Sequence, residues 1–77
     1  MGEISNIKLS DFRKFLKTMG CVYDRTNGGH EIWTKAGLTR PIVIQTHKDP
    51  IPTFILKNLL RDFGMKQDEF LKIIRSL

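Results

Sequence analysis

Three stretches of the chain place apolar residues at i, i+3, i+4 and i+7, the spacing that puts them on one helix face. The first is Phe12, Phe15, Leu16 and Met19, with Ser10 in the N-cap position and Asp11 near the positive helix start. Gly20 then fits the left-handed position just past the helix end. The second stripe, Leu56, Leu59, Leu60 and Phe63, is entered from Pro50-Ile51-Pro52-Thr53 and closed by Gly64. The third is Phe70, Ile73, Ile74 and Leu77, with Asp68 and Glu69 in its first turn. Its cap would be Lys66 or Gln67, both poor choices, so this helix start is expected to fray. Phe15, Leu16, Leu59 and Phe63 are the expected centre of the core.

Between the first and second stripes the pattern changes to that of strands. Cys21 to Thr26 is rich in β-branched and aromatic residues, and Asn27-Gly28-Gly29 is a strong hairpin signal. His30 to Lys35 reads as a second strand and Ala36-Gly37-Leu38 as a turn. Arg40 to Gln45, with Ile42 and Ile44 on one face, reads as a third, and Pro41 belongs at its start or on an edge. The predicted fold is α+β, in the order α-β-β-β-α with a short C-terminal helix. Three consecutive strands joined by tight turns form an antiparallel meander, with the helices on one face.

Composition narrows the class. Residues 1–77 read as one domain, with 40% hydrophobic residues and five Phe to supply a thin core. The single cysteine, Cys21, excludes an internal disulfide and any CxxC metal or redox site, which points to a reducing, cytoplasmic setting. No apolar run is long enough to span a bilayer, and the opening residues lack a signal peptide's apolar stretch. The net charge of +5 favours a polyanionic partner, although the basic residues are spread along the chain rather than gathered in a run.

The most suggestive position for chemistry is His30. It follows Gly28 and Gly29, where missing side chains let another backbone come close. An imidazole, with an ordinary pKa of about 6.5, suits proton transfer near neutrality. Cleaving an RNA phosphodiester requires a proton taken from the 2′-hydroxyl and one given to the departing 5′-oxygen, and histidine can do either. His47 lies just past the third strand, at the end of the meander where the second begins, so it could approach His30 and bind phosphate or assist. Lys35, Arg40 and Lys48 fall around the strand ends and could contact phosphates. Trp33 and Tyr23 could stack bases, although core packing is the more natural use of at least one. Two histidines and one cysteine lack the ligand number and spacing of a structural zinc site, and no ATPase, zincin or serine-hydrolase motif occurs.

Taken together, the pattern resembles the HicA (YcfA-like) family of bacterial toxin–antitoxin ribonucleases, from about Ser10 to Leu71. The landmarks are Met19-Gly20, then Gly28-Gly29-His30 leading into Ile32-Trp33, then Ile42-Val43-Ile44 with His47. Leu56-Lys57-Asn58-Leu59-Leu60-Arg61-Asp62-Phe63-Gly64 and Asp68-Glu69-Phe70-Leu71 complete it. The resemblance implies a small double-stranded-RNA-binding-domain-like fold and metal-independent cleavage of mRNA, with no cofactor. It also implies His30 as the catalytic residue and a HicB-type antitoxin as partner; Gly28, Gly29, Lys35, Arg40, His47 and Lys48 are, from their positions along the chain, the expected RNA contacts. Three positions depart from the family pattern. Gly29 stands where a serine is usual, Asn27 where a lysine is common, and Gln45 where a proline often occurs.

Two other classes fit the same residues. One is a non-catalytic RNA-binding module of this fold; the other is a protein-interaction domain whose positive face docks an acidic partner.

Overall fold

A computed structural model describes residues 6–77; the opening residues, where no leader is expected, lie outside the described residues. Helix α1 (Leu9–Thr18) leads into strands β1 (Val22–Asn27), β2 (His30–Thr34) and β3 (Ile42–Gln45), followed by helices α2 (Thr53–Phe63) and α3 (Gln67–Arg75). The strands form one antiparallel sheet in the order β1-β2-β3, the predicted meander, with the helices on one face.

The inner face of the sheet supplies Trp33, Ile42 and Ile44, which pack with Phe12, Phe15 and Leu16 of α1, Leu56 and Leu60 of α2 and Phe70 of α3. Phe15 is fully buried and is central to the aromatic packing, with its ring centroid 4.7 Å from Phe70 and 5.8 Å from Phe63, both edge-on. Leu16 and Leu59 are buried as expected, whereas Phe63 is half-buried at the margin of this cluster. Leu77 lies beyond the end of α3 and is exposed, so the third stripe ends at Ile74.

Both glycine stops act as the sequence suggests. Past α1, Gly20 N–H donates to the Lys17 carbonyl (3.1 Å) and Cys21 N–H to Leu16 (2.9 Å), with Gly20 at φ +85°. The same pair of bonds closes α2 at Gly64 and Met65. The start of α1 differs from expectation. Ser10 lies inside the helix and Lys8 occupies the cap position, with no side-chain bond of its own. Asp49 takes over that task, its Oδ1 accepting the Leu9 N–H at 3.0 Å. A carboxylate forty residues away thereby satisfies a donor at the positive end of α1.

Candidate active site

The two glycines before His30 serve different needs. Asn27 and His30 are cross-strand partners, so Gly28 and Gly29 are the two central residues of the hairpin. Gly28 has φ +63°, as a II′ turn requires at its first central position. Gly29 has no such φ; its need is for space. A Cβ built there would lie 3.1 Å from Nδ1 of His47, tighter than ordinary contact. The His47 ring therefore sits on the bare backbone of the residue preceding His30.

The segment carrying His47 is tied down on both sides. Thr46 donates twice to the Gly29 carbonyl, from its N–H at 2.9 Å and its hydroxyl at 3.1 Å. Lys48 N–H closes a turn onto the Gln45 carbonyl (3.3 Å). Asp49 caps α1, and Ile51 N–H donates to the Ile7 carbonyl at 2.9 Å. His47 and Lys48 are thus exposed side chains on an anchored backbone.

Alternation along β2 sends Glu31 and Trp33 inward and leaves His30, Ile32 and Thr34 on the open face. His30 is paired in register with Asn27 on one side and Gln45 on the other. Directly opposed residues of antiparallel strands share a face, with Cβ atoms about 4.5–5.5 Å apart. The exposed imidazole therefore stands between two carboxamides, which offer hydrogen-bond donors and acceptors without charge.

Beneath it, Glu31 is locked. Its Oε1 accepts from Trp33 Nε1 at 2.7 Å and from Arg13 Nε at 3.0 Å, while Arg13 Nη2 lies 3.0 Å from Oε2. Burial pushes the Glu31 carboxyl up, but the hydrogen bonds from Arg13 and Trp33 and the charge of Arg13 outweigh it, holding the group below its usual range. The Glu31 hydrogen bond raises the Arg13 guanidinium, against a smaller opposing effect of burial. This clamp joins α1 to β2 next to His30 and fixes which way the strand faces.

The remaining predicted residues divide between the two ends of the sheet. Lys48 accompanies His47 at the hairpin end. Lys35 and Arg40 lie at the opposite end of β2 and line a cleft there, so they are not brought to His30. That cleft also holds Arg25, which sequence reasoning passed over. Arg25 pairs with Ile32 in the register set by the Asn27–His30 turn and so shares the outer face with His30, whereas a β-bulge at Asp24 shifts the register beyond it and pairs Tyr23, rather than Asp24, with Trp33. Tyr23 consequently faces inward, edge-on to buried Trp33 at 5.8 Å, and Arg25 faces outward although it is only two residues away. Neither aromatic ring offers a stacking platform on the open face. Cys21 is buried; burial raises its thiol pKa, partly offset by the charge of Lys35, which keeps it protonated and a poor nucleophile at neutral pH.

Among the described residues, no group of three or more His, Cys, Asp or Glu side chains could hold a metal ion. A second cleft, lined by Lys57, Arg61 and Lys66, lies between α2 and α3 on the helical layer, across the sheet from His30. What the open face offers is an accessible imidazole between two amides, with a second imidazole anchored on the turn beside it. No curated protein and no solved structure matches the chain. A family model described as the HicA toxin of bacterial toxin–antitoxin systems, however, matches residues 9–65, from the first residue of α1 to just past the α2 cap and including every residue of this site. With that match over most of its length, the chain belongs to the HicA toxin family.

Proposed function

We propose that this protein is a metal-independent endoribonuclease that cleaves mRNA in the cytoplasm through His30 and is silenced by a HicB-type antitoxin covering the open face of the sheet. The observation that carries this reading is the position of His30, exposed at the hairpin mouth on a strand whose other face is locked by Glu31. Membership of a toxin family gives that exposed imidazole a target and implies an antitoxin partner.

In the proposed reaction the substrate's own 2′-hydroxyl oxygen attacks the adjacent phosphorus. The new P–O2′ bond forms, the P–O5′ bond breaks, and the products end in a 2′,3′-cyclic phosphate and a 5′-hydroxyl. One proton leaves the 2′-oxygen and one reaches the 5′-oxygen. His30 carries one of these transfers, as base or acid. His47, held against Gly29, is the second group of the site, binding the phosphate or carrying the other proton. Asn27 and Gln45 are placed to donate to the non-bridging oxygens as charge develops there. Gly28 lets the RNA backbone approach, Gly29 seats the His47 ring, and Lys48, with Lys35 and Arg40 further along, contacts neighbouring phosphates.

The test is to incubate the purified protein with RNA in excess EDTA and to analyse the new termini. Cyclic phosphate and 5′-hydroxyl ends, formed at the rate seen without chelator, are expected. RNA that is bound but left intact would reduce the protein to a binding module, and chelator-sensitive cleavage would replace the mechanism.

A further inference from the structure

The cleft at the far end of β2 lies on the same open face as His30. Its lining includes Arg25 and Ile32, the last cross-strand pair before the Asp24 bulge, together with Thr34 at the strand end. The β2–β3 connection supplies Lys35, Leu38, Arg40 and Pro41. At about 280 Å³ it is near the lower limit of small-ligand sites, which run from roughly 300 to 1,000 Å³. Asp24 neutralises Arg25 at 2.5 Å, so three cations against one carboxylate leave the rim with two positive charges, those of Lys35 and Arg40. Apolar lining from Ile32, Leu38 and Pro41 together with the charges of Lys35 and Arg40 matches the two parts of a nucleotide, its ring face and its phosphate.

Position sharpens the match. Along a strand, His30 and Ile32 are about 7 Å apart and His30 and Thr34 about 13 Å, so a chain crossing the open face from His30 reaches the cleft within a few nucleotides. We propose that this cleft, lined by Arg25, Lys35 and Arg40 together with Ile32, Leu38 and Pro41, is an RNA subsite that holds one nucleotide flanking the scissile bond. The inference rests on the endoribonuclease reading for the position of the scissile bond, but binding at the cleft is separable from cleavage. It gives Arg25 a purpose: the register of the Asn27–His30 hairpin sets it opposite Ile32, on the face that carries His30.

The experiment titrates isotope-labelled protein with 2′-O-methylated oligoribonucleotides, which cannot be cleaved, and follows amide shifts by NMR. A ten-nucleotide ligand should shift Ile32, Leu38 and Thr39 as well as the surroundings of His30, whereas a dinucleotide should shift only one of the two regions. The double variant Lys35→Ala, Arg40→Ala should lose the cleft shifts and lower the salt dependence of binding by about two ions. Its affinity for the dinucleotide bound at His30 should be unchanged. Shifts confined to His30 with the long ligand, or equal losses for both ligands in the variant, would overturn the subsite. Cleft shifts with polyglutamate but not RNA would give it to an acidic protein instead. If RNA binds the cleft but is never cut, the subsite stands and only the nuclease reading falls.

Discussion

On the inner face of β2, Glu31 and Trp33 have no freedom: one accepts hydrogen bonds from α1 and from its own strand, and the other is packed into the core. On the outer face of the same five residues, His30, Ile32 and Thr34 point away from the helical layer, and His30 and Thr34 are exposed. Asn27, Gly29 and Gln45, the positions where the resemblance leads one to expect other residues, gather around this outer face and its turn, two of them flanking His30 directly. The comparison teaches that the inner face holds the fold rigid, so the outer face can change its chemistry at little structural cost.

That division can be broken by substitution. The largest effect belongs to the core: Phe15→Ala removes a fully buried ring from the aromatic cluster and should cost about 2–5 kcal/mol. In a domain whose whole stability is about 5 kcal/mol, that loss should appear as near-complete unfolding in a thermal melt. Glu31→Ala comes next, at about 1–3 kcal/mol, because it leaves the indole N–H of Trp33 and the Arg13 guanidinium without their acceptor. On the outer face, His30→Ala should change stability by no more than about 0.5 kcal/mol. A His30→Ala melt displaced as far as that of Glu31→Ala would erase the distinction between the faces.

Acid sharpens it. The Glu31 carboxyl is held below its ordinary range in the folded protein, so the stability it contributes is present above the unfolded value of about 4.3. It is lost as pH falls below that point and through the lower folded value. Glu31→Gln should remove this part of the acid dependence of the melting temperature, while His47→Ala should leave it in place.

A smaller structural change probes the turn. Gly29→Ser would set a Cβ 3.1 Å from Nδ1 of His47, and the exposed ring has room to swing away. Stability should change by less than about 1 kcal/mol, but His47 should lose its seat. Cleavage should then fall to the same extent in Gly29→Ser, in His47→Ala and in the double variant, since one displacement underlies all three. Additive losses would show that Gly29 and His47 act separately.

Much of this was legible because it is local. Helix stripes, glycine stops and the Asn27-Gly28-Gly29 hairpin depend on residues within a few positions, and the parity of a meander brings His47 to the His30 end. The Asp49 cap was not legible, because its partner is forty residues away and Ser10 offered a plausible local substitute. The bulge was hidden for a different reason. All six residues of β1 are exposed, so no buried alternation marks its register, and Tyr23 gave no sign of turning inward beyond the bulge. The separation of Lys35 and Arg40 from His30, by contrast, was legible, since a meander puts the end of β2 and the start of β3 at the end of the sheet away from His30.

The most direct test of the central claim is the rate at which His30→Ala cleaves RNA, measured on protein shown by its melt to be folded and by titration to bind RNA as the wild type does. A general acid or base contributes about 10²–10⁴-fold, so cleavage should fall by that factor with binding retained. A folded His30→Ala protein that binds and cuts RNA at the wild-type rate would contradict the account.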